Sequence, residues 1–172
     1  MTALNWFDSA ATSLSAMPEL QLRTDAGGTR RFEVATLITR ATLFPEYAVV
    51  SISDTVPGEL PNWPGPPAVV AGTDSNIAVY VRPAVDGDIT VELTNDETEF
   101  TVHEGVREYF HGELLTPSRR VHVFIDAEMI SILDIPVSGG RSLVRIWGNA
   151  ERDASWVGVL VTGLVALPGE AR

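Results

Sequence analysis

The chain has 172 residues and a formal net charge of −11, because 23 acidic residues outnumber 12 basic ones. All 12 basic residues are arginine and there is no cysteine, so the composition excludes lysine Schiff-base chemistry, cysteine nucleophiles, disulfides and zinc ribbons. The acidity also argues against nucleic acid as a partner, since an acidic surface repels the phosphate backbone.

The N-terminal segment is the best helix candidate. Alanine, leucine and serine dominate residues 1–17, and Pro18 ends the segment. It has no basic region followed by an apolar run, which argues against a signal peptide. Glycines interrupt the longest apolar stretch, from Trp156 to Leu167, so it is too short to cross a bilayer. We therefore expect a cytoplasmic protein that makes no membrane contact.

The remaining predicted elements are short strands, in which β-branched and aromatic residues alternate with polar ones between turn residues. The predicted strands are Glu19–Thr24, Arg31–Phe44, Tyr47–Ser53, Asn76–Arg82, Asp88–Leu93, Glu99–His103, Val121–Asp126, Ile130–Ile135, Ser142–Trp147 and Trp156–Thr162. No helical pattern separates them, so parallel pairing is not expected. This pattern predicts an all-β fold: an antiparallel sandwich or flattened barrel of about ten strands, forming a single domain over residues 1–172.

A proline-rich loop interrupts the strands at residues 57–67, which contain five prolines and two glycines. These residues favour an extended, stiff loop. Trp63 lies within it, and a tryptophan on a stiff loop suits an interface anchor. Alternatively, Trp63 folds back and caps the sheet.

Acidic residues cluster between Asp86 and Glu113. The nine acids there are Asp86, Asp88, Glu92, Asp96, Glu97, Glu99, Glu104, Glu108 and Glu113. Strand alternation places Ile89, Val91 and Leu93 toward the core and the intervening acids outward. If the strand pairs with Glu99–His103, an acidic hairpin results. The predicted partner-binding residues are Asp88, Glu92, Asp96, Glu97, Glu99, His103 and Trp63. The alternative is a solvated outer face.

No metal, cofactor or catalytic site is predicted. The loop tips Asp86-Gly-Asp88 and Asp96-Glu97 offer oxygen ligands for Ca²⁺, but the EF-hand spacing is absent. The three histidines lack zinc-ligand spacing, and no nucleophile elbow or glycine-rich phosphate loop is present. We therefore expect a protein that is not an enzyme.

The tryptophans near the C-terminus have local interpretations. Trp147 shares a strand face with Leu143 and Arg145, which predicts that the Arg145 guanidinium stacks on the Trp147 ring. Trp156 begins an apolar strand and is expected in the core.

Residues 106–165 show a succession of motifs: a Phe-x-Gly, a Pro-Ser turn, a strand, a second strand ending in proline, a glycine turn and a Val-Arg-Ile strand. The corresponding residues are Phe110, Gly112, Pro117, Ser118, Pro136, Gly140 and Arg145. This succession resembles bacterial proteins of the competence nuclease inhibitor and immunity type. The resemblance implies a small acidic β-sandwich that blocks a partner nuclease, and it carries no catalytic residues.

The function predicted from these features is a non-enzymatic binding module for another protein with a basic surface, in its sharpest form an immunity or inhibitor protein that acts through the acidic hairpin. Two alternatives remain open. The chain is a structural or assembly subunit of a larger particle, with the Trp63 loop and Arg31–Phe44 as subunit contacts, or it is a Ca²⁺- or carbohydrate-binding sandwich.

Overall fold

A computed structural model describes residues 22–24, 30–32, 38–55, 61–63, 68–95, 105–125 and 130–164. The predicted helix over residues 1–17 lies outside these residues. Among the residues described, no helix has the length and apolar character needed to cross a membrane. Regular structure there consists of strands and one 3₁₀ turn, Ala84–Asp86, so the predicted all-β character is confirmed.

Twelve strands form in the order of the chain. They are β1 (Leu22–Thr24), β2 (Arg30–Phe32), β3 (Ile38–Leu43), β4 (Val49–Ser53), β5 (Val70–Gly72), β6 (Asn76–Tyr80), β7 (Ile89–Thr94), β8 (Arg107–Leu115), β9 (Arg120–Ile125), β10 (Ile130–Pro136), β11 (Arg141–Gly148) and β12 (Trp156–Val161). Strands β5 and β8 are absent from the sequence predictions. The stretch predicted as one strand, Arg31–Phe44, contributes to both β2 and β3.

The strands form three sheets. Strands β1 and β2 make an antiparallel pair. Sheet I has the order β10-β9-β4-β6-β5, and sheet II has the order β3-β7-β12-β11-β8. All neighbours in sheet I are antiparallel.

Sheet II is mixed, because β12 pairs in parallel with β7, from Trp156 opposite Thr90 to Leu160 opposite Thr94. The expectation of purely antiparallel pairing is therefore wrong. Parallel strands need a long connection between them. Here the connection is not a helix: the chain between β7 and β12 forms strands β8 to β11, two of which belong to sheet I.

One hydrophobic cluster receives side chains from both sheets. Its fully buried members include Val50, Ile52, Ile77, Val79, Val121 and Val123 from sheet I, and Val91, Leu93, Val144, Ile146, Val157 and Val159 from sheet II. They follow the period of two expected of strands with one face on a core. The predicted inward row, Ile89, Val91 and Leu93, is confirmed, since all three are buried. Each such residue contributes about 1.5–3 kcal/mol through burial.

A second, smaller cluster lies on the opposite face of sheet II. It contains Trp147, Trp156 and Leu160, with Val106 packed against them. Trp156 and Leu160 alternate along β12 with the valines of the main core. Trp156 is therefore buried as expected, but on the outer face of the sheet.

Candidate functional site

Glu92, one of the predicted partner-binding acids, is buried on the outer face of sheet II. Its side chain is only 7% exposed, and a carboxylate oxygen lies 2.5 Å from a guanidinium nitrogen of Arg40. The two residues are register partners on β7 and β3. Glu92 is thus an internal ion-pair partner and does not contribute a free acid to the surface.

The hairpin expected to carry the acids does not form around β7. One edge of this strand pairs with β3 from Ile89 to Thr94, and the other pairs with β12 from Thr90 to Thr94. No free edge remains for Glu99–His103, so the predicted pairing is wrong. The reason is that β3 and β12, which are distant in sequence, occupy both edges. The predicted site residues Asp96, Glu97, Glu99 and His103 lie outside the described residues.

Trp63 packs against sheet I. Its indole nitrogen donates a hydrogen bond to the carbonyl oxygen of Ala68 at 3.2 Å. Its ring meets that of Tyr80 edge-on, with 6.4 Å between centroids. The guanidinium carbon of Arg152 lies 5.5 Å from the centroid of the same Tyr80 ring. Trp63 therefore adopts the folded-back arrangement that was the alternative to a free interface anchor, although it remains only partly buried.

Asp88 is the remaining described acid of the predicted site, and it is exposed. It belongs to a surface built from three connections between strands, which we call the loop end: residues 44–48 between β3 and β4, 81–88 between β6 and β7, and 149–155 between β11 and β12. The amide of Arg82 donates to the carbonyl oxygen of Ala154 at 3.1 Å and so links the second connection to the third.

The first and second connections are also joined. The amide of Ala84 donates to the carbonyl oxygen of Pro45 at 2.9 Å, and that of Val81 donates to the carbonyl oxygen of Ala48 at 2.8 Å. The amide of Ala48 also contacts the Pro45 carbonyl oxygen, at 3.4 Å. The loop end is therefore a continuous, hydrogen-bonded surface.

Three large hydrophobic side chains protrude from the loop end. Phe44 is 58% exposed, Tyr47 is 64% exposed and Val85 is 90% exposed. We call these residues the apolar trio. Within the described part of the chain, the one other exposed large hydrophobic residue is Leu143, at 37% on β11. Large exposed hydrophobic residues are thus concentrated on two loops that are hydrogen-bonded to each other.

Acidic side chains surround the apolar trio. The loop end holds five acids and two arginines, a net charge of −3: Glu46, Asp86, Asp88, Glu151 and Asp153 against Arg82 and Arg152. All five acids are exposed. Arg152 lies over Tyr80, and Arg82 packs its guanidinium against Gly87. The acids therefore dominate the charge beside the trio.

The backbone of the loop end is constrained. Three described residues other than glycine have a left-handed φ, and two of them, Ala48 at 59° and Asp153 at 56°, lie here. Such conformations cost about 1–2 kcal/mol per residue and persist where the surroundings fix them. Asn149 closes the third connection, because its side-chain oxygen accepts hydrogen bonds from the amides of Ser155 and Trp156, both at 3.1 Å. The loops are held before any partner arrives.

A separate ion-pair network covers the outer face of β8 and β11. Arg145 donates two hydrogen bonds to Glu108, at 3.1 and 2.8 Å, and its guanidinium carbon lies 4.7 Å from the centroid of a Trp147 ring. The predicted stacking of Arg145 on Trp147 is confirmed. The hydrogen bond from Arg145, opposed by burial, lowers the pKa of the Glu108 carboxyl below its ordinary value. Each charge in this network already has a protein partner.

Sheet I carries a Ser-His-Asp row on its outer face. Asp134, His122 and Ser53 are register neighbours on β10, β9 and β4, with 3.4 Å between His122 Nδ1 and Asp134 Oδ1. The Ser53 hydroxyl, however, donates to the carbonyl oxygen of Thr55 at 2.6 Å and is buried. A nucleophilic serine must instead direct its proton to histidine and face substrate. The row is consistent with packing of the sheet.

The described residues contain no group of three or more His, Asp or Glu side chains placed to hold a metal ion. Sequence reasoning missed the loop end because its three parts are far apart in the chain. A local signal existed, since Phe44-Pro-Glu-Tyr47 and Pro83-Ala-Val85-Asp86 place apolar residues beside proline and acids, outside any strand alternation.

Comparison of the chain with protein-family models, with curated proteins and with solved structures finds no significant match. The nuclease-inhibitor resemblance therefore stays a prediction, and the function is argued from the surface itself.

Proposed function

We propose that the chain is a non-enzymatic protein-binding module whose partner docks on the loop end. The observation that carries this proposal is the exposure of the apolar trio. Three large hydrophobic side chains with more than half of their surface in water lie on adjoining loops. Exposed apolar groups gathered in one patch with a polar rim mark interaction sites.

The proposed architecture is a β-sandwich, in which sheets I and II pack face to face across the hydrophobic cluster to which both contribute. In sandwiches, loops gather at the two ends of the layered sheets. The hydrogen bonds that join connections from both sheets at the loop end support this arrangement. The sheets then act as a rigid support for the binding loops.

The energetics favour such a surface. Burying the exposed part of a large apolar side chain contributes about 25 cal/mol per Å², and aromatic residues are enriched among the anchors of protein interfaces. The constrained backbone at Ala48 and Asp153 reduces the ordering entropy that binding has to overcome. Phe44 and Tyr47 are therefore proposed as the principal anchors, with Val85 beside them.

The partner is proposed to carry a basic surface. The net charge of −3 on the loop end and −11 on the chain supports this choice, because complementary charge accelerates encounter and disfavours wrong partners. An inhibitor or immunity protein that blocks a basic enzyme such as a nuclease is the sharpest form of the proposal. The acids involved are then Asp88 and its loop neighbours instead of the predicted hairpin.

The test is a comparison of partner capture by three purified forms of the chain from a lysate of the source organism. The forms are the wild type, the variant Phe44→Ser/Tyr47→Ser/Val85→Ser and the control Leu143→Ser. Leu143 is the other exposed large hydrophobic residue described, so the control removes apolar surface away from the loop end. The proposal expects a protein recovered by the wild type and the control but not by the triple variant. Equal recovery by all three forms would overturn it.

A further inference from the structure

The acids of the loop end stand beside side chains that favour association. Glu46 lies between Phe44 and Tyr47 in sequence, and Asp86 directly follows Val85. An exposed apolar patch of this kind is also suited to a second copy of the same chain, since symmetric self-association is the commonest form of oligomer. Something in the surface has to decide between the two occupants.

The charges decide against a second copy. If two loop ends met, five acids and two arginines would face the same set. Like charges brought together across an interface cost several kcal/mol in specificity. A partner with lysine or arginine around an apolar contact meets the opposite situation, since each of its cations faces an excess of carboxylates.

Three of the acids are available for this purpose. Within the part of the chain that the structure describes, Glu46, Asp86 and Asp88 are exposed and form no ion pair. By contrast, Glu108 and Glu113 are each paired with an arginine of the neighbouring strand, at 2.8 and 2.6 Å. The acids beside the apolar trio therefore keep their full charge toward whatever approaches.

We propose that Glu46, Asp86 and Asp88 reserve the apolar trio for a partner that presents an apolar contact flanked by lysine or arginine, and that their charge excludes a second copy of this chain. This inference rests on the proposed function, because it assigns the partner class of the same surface. It assigns separate roles to the two sets of residues: the trio supplies affinity, and the three carboxylates supply selectivity.

The first experiment measures self-association and needs no partner. The variant Glu46→Gln/Asp86→Asn/Asp88→Asn removes the three carboxylates. The control Asp74→Asn/Glu113→Gln/Asp134→Asn makes the same change in net charge at exposed sites elsewhere. Analytical ultracentrifugation is expected to show that the loop-end variant associates at concentrations at which wild type and control do not. Adding Phe44→Ser/Tyr47→Ser/Val85→Ser to the loop-end variant should abolish that association.

The second experiment uses defined probes: a short amphipathic peptide of leucine and lysine, and a peptide of the same length of leucine and glutamate. The wild type should bind the lysine peptide more tightly, and raising the salt from about 0.05 M to about 0.5 M should weaken that binding strongly, because screening shortens the range of the charges. The loop-end charge variant should lose about tenfold in affinity, whereas the control triple variant loses less.

The outcomes separate the two proposals. Lysine-peptide binding that is unaffected by loss of the apolar trio counts against the proposed function itself. Binding that requires the trio but is unchanged by Glu46→Gln/Asp86→Asn/Asp88→Asn, together with no gain in self-association, overturns the selectivity inference and leaves the binding surface intact. Association of the wild type through the trio at low salt overturns it as well.

Discussion

Arg40 and Glu92 face each other across β3 and β7, and their side chains form an ion pair at 2.5 Å. The guanidinium is 61% exposed, whereas the carboxylate is almost wholly buried. A long arginine side chain can lie along a sheet while its charged group remains in contact with water. The pair thus places a buried carboxylate in the middle of sheet II without leaving it uncompensated.

We expect Arg40→Gln to lower the free energy of unfolding by about 1–2 kcal/mol, because it leaves a buried charge without its cation. Arg141→Gln is the matched control, since the Arg141–Glu113 pair lies in solvent, with side chains 63% and 57% exposed. That change should cost no more than about 0.5 kcal/mol. Urea denaturation at pH 7 measures both. Equal losses would mean that the burial of Glu92 carries no penalty.

The Glu108–Arg145 pair should make stability depend on pH. Arg145 holds the pKa of Glu108 below its ordinary value of 4.5. A depressed pKa contributes stability that is present above the unfolded value and is lost as the pH falls through the folded value. We expect Arg145→Gln to cost about 1 kcal/mol at pH 7, and the gap to the wild type to narrow in acid below pH 4.5.

In a Glu108→Gln background, Arg145→Gln should show only the pH-independent loss of its stacking on Trp147. Chemical denaturation of the four forms at neutral and acidic pH separates the two contributions. A gap that stays constant into acid would show that the carboxylate contributes nothing.

Gly148 adjoins the Tyr109 ring closely enough that a Cβ atom at this position would overlap it. Tyr109 also donates a hydrogen bond from its hydroxyl to the carbonyl oxygen of Ala150 in the loop end. We expect Gly148→Ala to destabilise the fold by about 1–3 kcal/mol through overpacking. Gly140→Ala is the control, because the nearest atom to a Cβ there is the Thr116 oxygen at 3.9 Å. Thermal unfolding of both variants is the measurement, and similar melting temperatures would show that the ring moves aside without cost.

Ser118 satisfies the buried carboxylate of Asp54. Its hydroxyl and its amide donate to the same carboxylate oxygen, at 2.7 and 2.9 Å. Ser118→Ala removes the hydroxyl and should cost about 1–3 kcal/mol in unfolding free energy. Ser118→Thr retains a donor at an exposed position and should restore most of the loss. Failure of threonine to recover more stability than alanine would contradict a hydrogen-bonding role.

Short-range features of the fold were predictable. The burial of Ile89, Val91 and Leu93 follows from the pleat of one strand, whatever its neighbours are. The stacking of Arg145 on Trp147 joins residues two apart on the same strand face. Both expectations depend only on local geometry, which a sequence displays directly.

Features that depend on pairing between distant strands were not predictable. Glu92 was expected on the surface because the sequence does not show that β3 and β12 flank β7. Strand β8 was missed because its alternation is broken: the register shifts between Ile146 and Trp147 of β11, which leaves Tyr109 as an extra residue, and Gly112 adds no side chain to the pattern. The loop end combines both difficulties, since three distant connections meet there.

The last strand of the chain is the central strand of sheet II. Strand β12 separates β7 from β11, so neither strand can obtain its second neighbour until residue 161 has left the ribosome. Before then, the apolar strands made earlier have open edges, which are prone to pair with other chains. Pairing of this sequence separation also slows folding. Completion of the domain is therefore a late event in synthesis, and a chain that stalls before Trp156 leaves two strands of sheet II open to aggregation.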